Sequence, residues 1–140
     1  MADKENFTKE ILEKYRLYAS AFFHGIAGVK ILKAGGKIPG QGEKRIPADF
    51  LDSEIDYRQG FVGNQYRTCG NRGILNCLMK YRPTDAYATL MITMKDLYPG
   101  PNMEFCFGWA SFTEGVGAFS LLRYDPKFSI LDEPDTSAET

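Results

Sequence analysis

The segment that most limits the fold of this chain is a short apolar run between residues 86 and 94. Ala86 to Met94 contains seven apolar side chains in nine positions, and it is bounded by polar residues and turn formers. A run of this length is typical of a β-strand that is covered on both faces. We therefore expect this strand at the centre of a sheet.

Two more strands are predicted after this run, separated by turns. Proline and glycine at 99–102 favour a turn. In Phe105–Phe112, aromatic residues then alternate with small ones, which predicts a strand. Val116–Arg123 predicts a third strand, with Phe119 and Leu121 inside.

The N-terminal part predicts a helix and a short strand. Thr8 is suited to cap a helix, and Gly25 to end it. Apolar residues between these limits recur at helical spacing, at Ile11, Tyr15, Tyr18 and Phe22. The short run Gly28–Lys33 is β-branched and apolar, and it reads as a strand.

A second helix is predicted over Asn71–Tyr81, where apolar residues share one side and Pro83 enforces the end. We expect residues 35–60 to form a flexible surface loop. The first part of this range is rich in glycine and proline and shows no sustained hydrophobic periodicity. The acidic segment 129–140 is expected to be disordered. The chain is thus predicted to be one α+β domain over residues 1–128, with a twisted mixed sheet of about four strands and two helices packed on it.

Net charge, hydropathy and cysteine spacing argue against several classes of function. The 140 residues carry a net charge of −1, which gives no general attraction for nucleic acid or anionic membrane. We expect no signal peptide and no transmembrane segment, and hence an intracellular protein, cytoplasmic or nuclear. Three cysteines at irregular spacing predict buried free thiols rather than a disulfide framework or a metal knuckle.

Three segments together resemble the archaemetzincins, a family of metzincin-type zinc metallopeptidases. They are the stretches 96–101 (DLYPGP), 105–111 (FCFGWAS) and 114–124 (EGVGAFSLLRY). The resemblance extends more weakly back to about Thr8. It implies the N-terminal half of a metzincin catalytic domain, in which a twisted sheet precedes a zinc-binding helix.

The same resemblance implies zinc as cofactor and peptides or proteins as substrates, through a His-Glu-x-x-His-x-x-Gly-x-x-His motif. This chain has one histidine, His24, so the motif is absent. No set of three ligands with zinc spacing can be built around His24. We therefore predict no metal ligands, no catalytic residues and no peptidase activity for this chain alone. Whether the sequence is a truncation, a splice form, a partial gene or an inactive paralogue stays open.

The resemblance also implies a substrate-binding edge strand. By position, Phe105–Phe112 matches the strand that pairs with extended substrates in metzincins, with Phe107, Gly108, Trp109 and Ala110 as candidate contacts. The small residues would let a peptide backbone approach closely. The plainer interpretation is that the aromatic side chains form the core face, and we favour it for the aromatic residues.

Three other roles are open. The chain could be a non-catalytic module that binds peptides at an exposed edge strand. It could associate with itself through a half-domain surface left uncovered. The stretch Tyr57–Thr84 contains five arginine or lysine residues and no aspartate or glutamate, so it could bind single-stranded nucleic acid. The near-neutral charge makes nucleic acid the least favoured of these partners.

Overall fold

The computed structural model describes residues 2–23, 28–60 and 62–128. These residues form three α-helices, six β-strands and one 3₁₀ turn, a mixed content that confirms the predicted α+β class. The helices are α1 (Ala2–Phe22), α2 (Phe50–Glu54) and α3 (Ile74–Lys80). The strands are β1 (Tyr57–Gly60), β2 (Gly63–Arg67), β3 (Thr89–Thr93), β4 (Asp96–Tyr98), β5 (Gly108–Ser111) and β6 (Val116–Ser120), and the 3₁₀ turn is Leu122–Tyr124. No helix in these ranges is long and apolar enough to cross a membrane.

The strands form two sheets instead of the single sheet that was predicted. One has the order β1-β2-β4, with an antiparallel and a parallel pair, and the other has the order β3-β6-β5, also mixed. A bridge between Leu97 and Cys106 connects them, since the Cys106 N–H donates to the Leu97 carbonyl at 2.9 Å. The prediction missed β1, β2 and β4 because such short strands have little periodicity.

The strand at the centre of the second sheet is β6, so the central position predicted for residues 86–94 is wrong. β3 lies at an edge, and Leu90 remains 63% exposed. β6 pairs with β3 on one side and β5 on the other, and its Val116 and Ala118 are buried. The structure confirms a strand within each of the three predicted segments, 86–94, 105–112 and 116–123. The last of them, β6, ends at Ser120, and its Phe119 is only half-buried.

The core lies between β6, the first sheet and α3. Helix α3 confirms the second predicted helix, although it begins three residues later because Gly73 is the N-cap. Its Ile74 and Leu78 pack in one cluster with Ala118. Burying these side chains gives the dominant favourable term in the stability of such a small domain.

The N-terminal predictions are only partly met. Helix α1 begins at Ala2, so Thr8 lies inside it and is not the cap. The predicted stripe is largely uncovered, with Tyr18 74% and Phe22 72% exposed. The described residues 28–33 form no strand, and Gly25 lies outside the described residues. Helical spacing predicted the helix correctly, but spacing alone does not supply a packing partner.

Residues 35–60 are not one loop. The first part is irregular, but Lys37 and Arg45 form a β-bridge across it, and Ile38 is only 1% exposed. The second part contains α2 and β1. Ile38 and Phe50 join the core, which explains why this segment packs on the domain. The predicted acidic tail, residues 129–140, lies outside the described residues.

Candidate functional site

Strand β5 lies at an edge of its sheet. β6 pairs with it on one side, and within the described ranges no strand pairs with the other. Just before β5, the Ser120 N–H of β6 donates to the Phe107 carbonyl, whereas the Cys106 N–H points the opposite way, to Leu97. Hydrogen-bonding directions alternate along a strand. The N–H and C=O groups of Gly108 and Ala110 therefore point away from β6, towards the side of β5 on which no described strand pairs with it.

The side chains around this edge are more exposed than predicted. Phe107 is 43% and Trp109 41% exposed, so the expectation that these aromatic residues are buried in the core is wrong. Trp109 lies opposite the buried Ala118 on the same face of the sheet, but β5 is at the edge of that sheet, where the ring stays partly exposed. Ala110 is also exposed, and Gly108 is half-buried.

Gly108 is required by the close approach of β6. A Cβ at this position would lie 2.7 Å from the Phe119 ring and 2.9 Å from the Ala118 carbonyl oxygen. Any larger residue would push the two strands apart. The small residue at 108 thus has a packing role that is independent of any ligand.

An aromatic cluster lies beside the edge strand. The ring centroids of Phe105 and Phe107 are 5.3 Å apart, as are those of Phe107 and Tyr124. Phe119 stacks on Tyr124 at 5.8 Å. These partly exposed rings offer an apolar surface next to the free backbone groups of β5.

A buried ion pair lies beneath this surface. Arg123 donates from Nε and Nη2 to the two carboxylate oxygens of Asp96, each at 2.9 Å, and Gln65 Nε2 donates to the same carboxylate at 2.8 Å. Asp96 is 1% exposed. Burial raises the pKa of the Asp96 carboxyl, but the bonds from Arg123 and Gln65 outweigh burial, so the net pKa lies below its usual value. The carboxylate is therefore ionised at neutral pH.

A second arginine, Arg58, belongs to the same polar network as Asp96 and Arg123. Arg58 Nε donates to Gln65 Oε1 at 2.9 Å, and its guanidinium lies 4.0 Å from the centre of the Tyr98 ring. Other donors of Arg58 bind carbonyl groups in the turn that leads to β5. Arg58 and Arg123 line an open cavity of about 560 Å³ with Phe105. Both guanidinium groups already have protein acceptors, so they shape the wall of the cavity.

A separate polar cluster surrounds Glu54 at the end of α2. Its carboxylate accepts hydrogen bonds from Lys80 Nζ at 2.9 Å and from the Tyr81 hydroxyl at 2.6 Å, and Cys77 Sγ lies 3.6 Å away. The bonds from Lys80 and Tyr81 lower the pKa of Glu54. Burial raises the pKa of Cys77 to about 11. A thiol that stays protonated is a poor nucleophile, so this cluster joins α2 to α3 without offering a reactive group.

The described residues do not fit a zinc site. They contain no group of three or more His, Cys, Asp or Glu side chains that could hold a metal ion. Cys69, Cys77 and Cys106 are free thiols, and burial raises the pKa of Cys106 to about 11. His24, the single histidine, lies outside the described residues.

The basic stretch Tyr57–Thr84 offers few free cations. Arg72 pairs with Asp56 and Lys80 with Glu54, while Arg82 binds carbonyl groups of Ala86 and Tyr87. Together with Arg58, four of the five cations counted in the sequence have partners within the chain. A phosphate backbone would have to displace them, so nothing in this geometry favours nucleic acid binding.

The polar network of Asp96, Arg123, Gln65 and Arg58 was not predicted from the sequence. Its members come from four separate segments, and pattern rules do not pair residues that lie far apart in sequence. A signal was present nonetheless, since Asp96 and Arg123 both fall in the segments that carry the family resemblance.

Comparisons with known proteins agree on one family. The chain is 34% identical to Archaemetzincin-2 of Mus musculus over 125 residues, which is 86% of this chain and 31% of that protein. For the Rattus norvegicus protein of the same name, the identity is 33% with the same coverage. The Homo sapiens protein is 51% identical over 55 residues, 39% of this chain. The chain thus spans less than a third of these curated relatives. No protein-family model matches it, and no solved structure matches it significantly.

Proposed function

Because this chain belongs to the archaemetzincin family, we propose that it is the substrate-facing half of a zinc metallopeptidase domain and does not hydrolyse peptides by itself. The observation that carries the proposal is the histidine count. A metzincin-type site uses three histidines and a glutamate in one motif, and these 140 residues contain one histidine.

The chemistry of hydrolysis explains why the fold alone is insufficient. Zinc in such enzymes activates a water molecule and polarises the scissile carbonyl, and it needs about three protein ligands with one open position. The described residues contain no such set. What they offer is an edge strand and an aromatic surface, and these can align a substrate without cleaving it.

We predict that the purified chain holds no stoichiometric zinc and hydrolyses no peptide in a chelator-sensitive manner. Metal analysis after dialysis and assays with a panel of fluorogenic peptides measure the two outcomes. One tightly bound zinc ion per chain would contradict the proposal. A His24→Ala variant is the control for weak adventitious zinc, since any metal lost with His24 alone is not a peptidase site.

A second candidate function is a non-catalytic module that binds extended peptides. It is supported by the position of β5, whose outward N–H and C=O groups at Gly108 and Ala110 have no strand beside them in the described part of the chain. An extended peptide can add to such an edge as a further strand, with main-chain hydrogen bonds giving the affinity. Phe107 and Trp109 are exposed enough to contact the side chains of that peptide.

We expect Ala110→Pro to abolish peptide binding while leaving the fold intact. Proline removes the outward N–H of residue 110, and that N–H makes no bond to β6. NMR chemical-shift perturbation with unrelated extended peptides measures binding, and thermal unfolding measures the fold. Ala110→Ser keeps the N–H and should bind like the parent chain.

The same titration tests self-association at this edge and binding at a different surface. Shifts in β5 that grow with protein concentration alone would indicate that a second copy occupies it, as the predicted self-association requires. Shifts confined to the basic stretch Tyr57–Thr84 would contradict the peptide proposal. The proposal also places the domain inside the cell, since three free thiols are typical of a reducing compartment.

A further inference from the structure

Arg67 differs from every other arginine in the described residues because its side chain has no hydrogen-bond partner. The remaining six, at positions 16, 45, 58, 72, 82 and 123, each donate to a carboxylate, an amide or a carbonyl oxygen. The side chain of Arg67 makes no hydrogen bond and no ion pair with the described residues, and its Nε is buried without an acceptor. A buried donor left unpaired is costly, and it points to an acceptor that binds there.

The guanidinium of Arg67 is held in place by the loop that follows β2. Its Cζ, Nε and Nη2 atoms lie over Gly70, 3.4–3.5 Å from where a Cβ of that residue would be. Gly70 has a φ of +96°, a conformation that glycine adopts without strain. The side chain therefore lies against a turn of backbone and presents its donors from a fixed position.

We propose that Arg67 is a binding site for a carboxylate group. A guanidinium donates two parallel N–H bonds, the geometry that a carboxylate accepts. The nearest arginine along the chain, Arg72, already pairs with Asp56, so the proposal rests on the Arg67 guanidinium alone. This site is distinct from the edge strand β5, so it does not depend on the function proposed for that strand.

Two sources can supply the carboxylate. One is an external molecule, such as an acidic peptide. The other is the chain itself, which carries Asp132, Glu133, Asp135 and Glu139 beyond the described residues. Phe128, the last described residue, lies 5.0 Å from the Arg123 guanidinium, and Arg123 binds Asp96. Asp96 pairs in register with Gln65, two positions before Arg67 on the same face of β2.

NMR titration of the full chain with acetate tests the proposal. The readouts are the Arg67 Nε–H resonance, identified by its loss in Arg67→Lys, and the Gly70 amide. We expect a saturable shift of both with acetate that chloride at equal ionic strength does not produce. Arg67→Lys should lose the Gly70 shift. Arg45→Lys, which changes an exposed arginine on a different bridge, should keep both shifts.

A variant with the changes Asp132→Asn, Glu133→Gln, Asp135→Asn and Glu139→Gln separates the two sources. If the chain supplies the carboxylate, this variant should shift the Arg67 resonance before any acetate is added and should respond to acetate more strongly than the parent. If the source is external, the variant and the parent should respond alike. The proposal is overturned if acetate shifts neither protein, or if phosphate produces the shift and acetate does not.

Discussion

Ala118→Asp in strand β6 is expected to prevent cooperative folding. Ala118 is 2% exposed and lies between Met91 of β3 and Trp109 of β5, with α3 packed above it. A carboxylate at this position would be buried without a partner, at a cost above about 4 kcal/mol. Domains of this size have a total stability of roughly 5–15 kcal/mol, so the folded state should be lost or barely populated.

The matched control is Ile92→Asp in the edge strand β3. Ile92 is half-buried and lies on the opposite face of the sheet from Ala118. An aspartate there remains in contact with water, so we expect a loss of about 1–3 kcal/mol and a protein that still unfolds cooperatively. Thermal unfolding followed by circular dichroism measures both variants. A folded Ala118→Asp, or an Ile92→Asp that fails to fold, would show that β3 is the central strand after all.

The comparison of β3 with β6 shows what hydrophobicity can and cannot predict. Residues 86–94 are the most apolar segment, but apolar residues are also exposed on every protein surface. The central strand has the modest sequence Val-Gly-Ala-Phe-Ser. Its small residues allow strands and helix to approach: a Cβ at Gly117 would lie 3.2 Å from that of Ala110. The small side chains of β6 therefore suit it to the central position, and a prediction based on hydrophobicity does not detect this.

Sequence patterns predicted the parts of the candidate site that lie within one segment of the chain. Alternation along Phe105–Phe112 correctly indicated a strand, and the family resemblance indicated its position at an edge. The same alternation predicted that Phe107 and Trp109 would be buried, but both remain partly exposed, because burial depends on what packs against a strand. The joining of two sheets through Leu97 and Cys106 was equally out of reach, since single bridges leave no periodic signal.

The ion pair of Asp96 and Arg123 leads to the second prediction of large effect. Arg123→Ala is expected to destabilise the fold by about 3–5 kcal/mol, the usual result of removing one partner from a buried pair. Asp96 would keep its bond from Gln65 but lose both bonds from the guanidinium. The change also removes the stacking of Arg123 on Phe105, where the guanidinium carbon lies 3.5 Å from the ring centre.

The pH dependence separates the lost ion pair from the lost packing. In the parent chain the pKa of Asp96 is lowered by folding. Its contribution to stability is therefore present above the unfolded pKa of about 3.9 and is lost as the pH falls through the folded value. In Arg123→Ala, burial raises the pKa of Asp96 without opposition from the arginine, so protonation relieves the buried charge. The stability difference between parent and variant should be largest near pH 7 and should narrow towards pH 3.

Denaturant unfolding of Arg123→Ala at pH 7, 5 and 3.5 measures this difference. Arg72→Ala is the matched control, because the Arg72–Asp56 pair is exposed, with 60% and 47% of its side chains accessible. Exposed pairs contribute about 0–1 kcal/mol, so this control should lose little at any of the three pH values. When Arg123→Ala is added to Asp96→Asn, neither of the two compared chains carries the Asp96 carboxylate, so the stability loss caused by Arg123→Ala should no longer depend on pH through this group. If the deficit of Arg123→Ala stayed constant between pH 7 and pH 3.5, its cause would be packing, and Asp96 would not depend on Arg123 for its charge.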